Sequence, residues 1–335
     1  MTQPSIPTRA RKVQSNRQRI SLRAELFRAG KWFAWGVVAL LLGLGAAIYW
    51  NPLWVVDQGV HLQFAMEGVH SEFVQIGSNR VHYYVGGRGT PLLLIHGMGG
   101  RAEDWSPAIS ILTQNGFRIY AIDLLGSGLS SHPDIAYSIP EQTTMVRGFL
   151  TAMHLKPVDV AGWSLGGWVA LKLAANDPEC VQRLVLIDSA GLTFYVPFGP
   201  QVFTPTDKAG LQRLLSLLTP NPVPMPNFVA RAVLRRLQKN NWVVQRTVQS
   251  AIVGHRMDGR LDAIHIPVLL AWGAQDALIP PSIAETMHQQ MPQSVLEMYS
   301  GCGHSAPIAC AARMMPNVVR FLQSNPPMAG GEFTK

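Results

Sequence analysis

The chain has 335 residues, 47 % of them hydrophobic, enough for one large domain with appendages, which excludes a disordered protein. Of its formal net charge of +8, +7 sits at one end, where Arg9, Arg11, Lys12, Arg17, Arg19, Arg23, Arg28 and Lys31 face Glu25 alone. The remainder is near neutral, which excludes a basic surface for nucleic-acid phosphates. Cys180, Cys302 and Cys310 make neither a disulfide framework nor a metal-ligand spacing. Cys302 and Cys310 are expected to be ordinary thiols, with pairing in an oxidising compartment as the alternative.

Residues 1–31 read as a basic cytoplasmic tail. Residues 32–50 are uncharged and rich in Leu, Val, Ala and Gly; as a helix they reach roughly 28 Å at about 1.5 Å per residue, close to the hydrocarbon thickness of a bilayer. Trp32 and Trp35 mark one end, and Tyr49, Trp50 and Trp54 the other, as amphipathic rings do at membrane interfaces. The segment is predicted to be a transmembrane anchor. A cleaved secretory signal is the competing reading, with Gly45-Ala46-Ala47 as its cleavage region, although both basic and apolar stretches are long for one. The Arg-rich end then stays in the cytoplasm, and the rest lies on the far side, periplasmic in a bacterium.

Residues 51–72 are expected to be a linker. Beyond it, short apolar runs alternate with helical stretches, the pattern of a mostly parallel sheet covered on both faces. The runs are 73–76, 81–85, 91–95, 118–122, 158–161, 184–187, 268–272 and 295–299, eight predicted strands. Ser138 with Glu141 forms a capping box, and Pro140 suits a first helical turn. Met314, Val318, Phe321 and Leu322 keep helical spacing for a closing helix. Residues 191–255 contain no convincing strand, while Leu211, Leu214, Leu215 and Leu218, then Val244, Val248, Ala251 and Ile252, recur at helical spacing. That stretch is predicted to be a helical cap inserted into a core of 73–190 and 256–324. Residues 325–335, with Pro326, Pro327, Gly330 and Gly331, are expected to be a disordered tail.

The chemistry concentrates in Gly162-Trp163-Ser164-Leu165-Gly166, between a predicted strand and an apolar helix. A serine hydroxyl is a weak nucleophile until a base takes its proton, so it must stand out of the sheet on a tight turn, which Gly162 and Gly166 permit. The base is expected at the end of another strand, where an open parallel sheet collects its ligand crevice. His304, flanked by Gly301 and Gly303 after the last strand, has that placement; His96 before Gly97 is the weaker rival. Asp276 gives the order Ser, Asp, His, and Asp188, at the end of the preceding strand, is its rival as the carboxylate that orients the imidazole. The backbone N–H groups of Leu165 and Met98 are the expected oxyanion donors.

The His96-Gly97 turn, Asp123-Leu124-Leu125-Gly126-Ser127-Gly128-Leu129-Ser130, the Ser164 elbow, Asp276 and Gly303-His304 resemble, in order and spacing, the α/β-hydrolases over about residues 73–324. With Ile187-Asp188-Ser189-Ala190-Gly191-Leu192 and the N-terminal anchor, the chain looks closest to bacterial lipases and esterases and to membrane-anchored monoacylglycerol lipases. The resemblance implies an α/β-hydrolase fold with a helical cap, and a serine hydrolase that cleaves carboxylic esters of acylglycerols, lipid-like substrates, with no cofactor and no metal. Cys302 and Ser305-Ala306-Pro307 depart from the family around the histidine. The alternative reading is carbon–carbon hydrolysis of a diketone-like acid, whose carboxylate Arg231, Arg235, Arg236 or Lys239 would hold. A non-catalytic receptor on the same fold would lack a triad member; none is missing.

Overall fold

The computed structural model describes residues 8–335, with side chains from residue 27 onward, 252 and 253 excepted. The basic side chains from Arg9 to Arg23 therefore lie outside the described residues. The chain forms two compact units that part between Val55 and Val56. In the first, one helix, α1 (Thr8–Trp50), runs through the predicted tail and anchor. Its stretch Phe27–Trp50 contains the predicted span and is long and apolar enough to cross a membrane, with none of its most apolar window buried. Length and composition suit a span and a signal sequence alike.

The predicted linker is corrected: it holds α2 (Pro52–Met66) and the start of β1 (His70–Ile76). Phe64 of α2 is buried edge-on against Tyr84, ring centroids 4.8 Å apart. Gln63 donates to the Ser106 carbonyl at 3.1 Å and to the Ser110 hydroxyl at 3.0 Å.

The remaining strands are β2 (Asn79–Gly87), β3 (Thr90–Ile95), β4 (Phe117–Ile122), β5 (Val158–Trp163), β6 (Val181–Ile187), β7 (Val268–Gly273), β8 (Val295–Tyr299) and β9 (Glu332–Thr334). The helices that follow α2 are α3 (Ser106–Gln114), α4 (Ile139–Ala152), α5 (Leu165–Asn176), α6 (Lys208–Leu218), α7 (Asn227–Lys239), α8 (Asn241–Val253), α9 (Pro281–Gln290), α10 (Ala306–Ala309) and α11 (Ala311–Gln323). The strands join in the order β1-β2-β4-β3-β5-β6-β7-β8-β9. Pairing is antiparallel for β1 with β2 and β2 with β4, and parallel elsewhere.

Alternation along the strands splits the core into two layers. Leu93, Ile95, Val160 and Leu184 pack with Phe149 of α4, Val169 of α5 and Met287 of α9. Leu92, Leu94, Ile119 and Val185 pack with Ile109 of α3 and Met314 and Phe321 of α11. Both faces are covered, which is why the strands read as continuous apolar runs. The capping box of α4 forms: Ser138 N–H donates to Glu141 Oε2 at 2.7 Å, and Glu141 N–H to Ser138 Oγ at 3.3 Å.

Two further expectations are corrected. The sheet has nine strands, not eight, because the tail read as disordered supplies β9, in parallel register with β8 from Leu296↔Glu332 to Met298↔Thr334. Gly330 and Gly331, at φ +68° and +101°, turn the chain back toward that edge, whose unpaired backbone groups β9 satisfies. Between β6 and β7 lie α6, α7 and α8. Leu211 of α6 packs with Ala230 and Leu234 of α7 in a small cluster of their own.

Candidate active site

The strand order reverses at β3, which sends β4 to one side and β5 to the other. Such a switch leaves a crevice at the carboxyl ends of the two strands. Ser164 follows β5 and His96-Gly97 follows β3, and the two loops touch: a Cβ on Gly97 would lie 3.1 Å from that of Ser164.

Ser164 has φ +56° and ψ −120°, a strained backbone for a residue with a side chain. Its neighbours show how the turn is held. A Cβ on Gly162 would meet the Gly166 carbonyl at 2.5 Å, and one on Gly166 would meet the Ile95 carbonyl at 2.3 Å. Only glycine fits at both positions. Ser164 N–H donates to the Ile187 carbonyl at 3.0 Å, so the strained residue is tied to the neighbouring strand.

His304 lies between β8 and α10. Its Nε2 is 2.9 Å from Ser164 Oγ and its Nδ1 2.8 Å from Asp276 Oδ2. The three residues are 2 % (His304), 5 % (Asp276) and 9 % (Ser164) exposed, so the relay is shielded from water. The other oxygen of Asp276 accepts from the N–H groups of Leu278 and Ile279 at 2.8 and 2.9 Å, which fixes the carboxylate's orientation. Trp163 Nε1 donates to the His304 carbonyl at 2.8 Å, and Ser305 N–H to that of Leu218 at 2.9 Å, so the histidine loop is fastened on two sides.

The thiol expectation for Cys302 and Cys310 is overturned. They form a disulfide across α10, with Cα atoms 6.2 Å apart, within the span such a bond requires. It brackets His304; Cys180 is the free, buried cysteine.

The two rivals lie close to the relay without joining it. Nδ1 of His96 bonds the Gly97 carbonyl at 2.7 Å, and Nε2 accepts from Leu124 N–H at 3.1 Å, so both ring nitrogens brace the loop. Asp188 accepts from Gly273 N–H at 2.7 Å. Its burial, and then the neighbouring charge of Asp276, raise its carboxyl well above the usual range. Leu165 opens α5, where a first-turn N–H has no intrahelical acceptor. Met98 lines the same crevice as Ser164.

Sequence reading missed a buried brace beneath the site. Asp123 accepts from His82 Nδ1 at 2.7 Å, Ala102 N–H at 2.7 Å and Leu129 N–H at 2.9 Å. Burial alone would raise its carboxyl; the His82 bond and the two amides outweigh it and hold it below the usual range. Asp123 thereby joins the loop after β3 to the loop after β4. The Asp in the 123–130 motif carried this signal, but its partner His82 sits 41 residues away in sequence.

Two clefts meet at Ser164. One, of about 230 Å³, is almost wholly apolar, with Phe194, Phe198, Phe203, Leu278 and Ile279 on its walls. The other, of about 500 Å³, is more polar and takes in His304, Arg101, Lys239 and Asn240. Of the basic residues expected to hold a carboxylate, Arg231 and Arg235 are exposed. Arg236 is bound to Asp57, which also holds Arg101 at 2.6 Å; Lys239 lines the larger cleft.

A family model described as "Alpha/beta hydrolase family" matches residues 92–314. The chain is 31 % identical to a 2-hydroxymuconate semialdehyde hydrolase of Pseudomonas putida, over 72 % of this chain and 90 % of that protein. It is 30 % identical to Lipase 3 of Moraxella sp. (strain TA144), over 64 % and 72 %. Among solved structures, a membrane phospholipase A described as a bacterial virulence factor superposes with a TM-score of 0.72 at 26 % identity, covering 87 % of this chain and 99 % of that one.

Proposed function

The chain belongs to the alpha/beta hydrolase family, and from that premise we propose that it is a serine hydrolase cleaving carboxylic ester bonds of lipid-like acylglycerols. The observation that carries this reading is the continuous relay from Ser164 Oγ through His304 to Asp276, at 2.9 and 2.8 Å. In the proposed reaction His304 takes the Ser164 proton as Oγ attacks the acyl carbonyl, and Asp276 holds the imidazole and stabilises its cation. The developing oxyanion is met by the N–H groups of Leu165 and Met98. His304 then returns the proton to the leaving alcohol, and water repeats the sequence on the acyl-enzyme. The apolar cleft beside Ser164 suits a hydrocarbon acyl group. The Phe27–Trp50 helix, read as a single-pass anchor with its N-terminus cytoplasmic, would hold the catalytic unit near its lipid on the far side.

The test is hydrolysis of 4-nitrophenyl esters with two to sixteen carbons by the full chain in detergent, with Ser164→Ala alongside. Ester cleavage lost in the variant supports the reading, and monoacylglycerol turnover follows as the substrate check. A water-soluble short ester turned over as fast as any longer one would sink the lipid-like part.

A second reading, carbon–carbon hydrolysis of a diketone-like acid, draws on the 2-hydroxymuconate semialdehyde hydrolase relative and on Lys239 in the larger cleft. Labelling of Ser164 by a fluorophosphonate without turnover of any ester would move the assignment to it.

A further inference from the structure

The apolar cleft contains one charged side chain. Arg256 lines it among aromatic and aliphatic residues, half-buried. One of its terminal nitrogens donates to the Leu192 carbonyl at 3.0 Å, and its guanidinium carbon lies 5.9 Å from the centre of the Trp168 ring. Among the described residues no carboxylate lies within ion-pair distance of it. Asp258, two residues on, is occupied by the Thr193 N–H and hydroxyl. A guanidinium has five N–H donors, so most of this one's donors are not committed to protein, although it borders a site that otherwise solvates no charge.

Its placement relative to the nucleophile follows from α5. Trp168 is four residues, one helical turn, beyond Ser164, and its indole N–H is anchored to the His255 carbonyl at 3.1 Å. Arg256 follows His255 directly. The cleft therefore has Ser164 on its wall, Trp168 one turn further along, and a cation beside that indole. Its volume of about 230 Å³ gives room for a medium-length acyl chain.

We propose that Arg256 is the terminal-anion contact of the acyl cleft, so that the preferred acyl group is a medium-length chain ending in a carboxylate, delivered as a half-ester of a dicarboxylic acid. This rests on the ester-hydrolase reading of Ser164. A planar carboxylate matches the guanidinium fork. In a largely apolar cleft such a pair is screened less than on an open surface, and a chain that ends in methyl offers the cation no counter-charge.

The experiment compares 4-nitrophenyl hydrogen suberate with 4-nitrophenyl octanoate, equal in carbon count, in the full chain. The kcat/KM ratio is expected to favour the suberate at least tenfold, to fall below one in Arg256→Gln and Arg256→Leu, and to lie between in Arg256→Lys. Melting curves that match the parent chain's show that the variants are folded. A ratio that favours octanoate in the parent chain, or one that the variants leave unchanged, overturns the proposal. Calorimetry of monomethyl suberate on Ser164→Ala, with and without Arg256→Gln, reads the contact without hydrolysis. Binding at least tenfold weaker in the double variant supports it and equal binding overturns it, even if neither ester is cleaved and the hydrolase reading itself fails.

Discussion

At the residue scale, Ser164→Ala or His304→Ala is expected to lower ester kcat by at least about 10³-fold with little change in Tm, because the relay acts as a unit; steady-state kinetics with a melting curve checks both. Asp188→Asn keeps an acceptor for Gly273 N–H and replaces a carboxyl that burial pushes upward, so it is expected to leave the pH–rate profile unchanged. Asp188→Ala removes the acceptor for Gly273 N–H, three residues before Asp276, and is expected to lower kcat more than it moves KM. A one-unit shift of the acid limb in Asp188→Asn would show an ionised carboxylate instead. Asp159 makes a separate pH prediction. Its neighbour across the β5–β6 register, Arg183, donates to the carbonyls of Phe321 and Ser324 at the end of α11. Asp159 is left without a partner for its buried Oδ1, and burial raises its pKa from 3.8 to about 6. With the folded value raised, its share of stability is fully present below about pH 3.8 and lost as pH rises through about 6. Asp159→Asn should therefore raise stability at pH 8 by up to about 3 kcal/mol, at about 1.4 kcal/mol per pH unit, and leave it unchanged at pH 3.5, read by unfolding at both. Ser164, His304 and Asp276 were legible because each ends a strand with glycine near it; His82 and Asp159 were not, because burial and pairing across tens of residues leave no local pattern.

At the element scale, the disulfide braces the loop that carries His304. Replacing both Cys302 and Cys310 by Ser is expected to lower stability by about 2–3 kcal/mol, the loop-closure value for a short loop, with a smaller loss of kcat; melting curves with and without reductant check it. Ending the chain at Ser324 removes β9 and leaves β8 as a bare edge, so lower solubility and a lower Tm are expected, measured by light scattering on heating. The core strands were legible to within a few residues, because burial on both faces writes them as unbroken apolar runs. The two elements missed show the converse. All three residues of β9 are exposed, so its place rests on backbone pairing that no side-chain pattern records. Fully buried side chains are few in α2, with Phe64 the main one, which is too little for a helical stripe to stand out.

At the scale of the whole molecule, the Phe27–Trp50 helix makes a test of its own. If it is a retained anchor, the full chain stays with membranes after alkaline carbonate extraction and deletion of residues 1–50 releases it; a soluble mature chain that begins near Ala47 would establish a cleaved signal instead.

The sequence by itself determined the fold class, the order of the core strands along the chain, the apolar N-terminal helix and the residue types of the relay, since each is written in local periodicity or in glycine spacing. Only the tertiary structure decided that His96 and Asp188 serve as braces, that Cys302 and Cys310 pair, that β9 closes the sheet edge, and that Arg256 lines the apolar cleft beside Ser164. The physical reason is common to all four: each depends on distances between segments far apart in the chain or folded back across a turn, set by packing on the sheet.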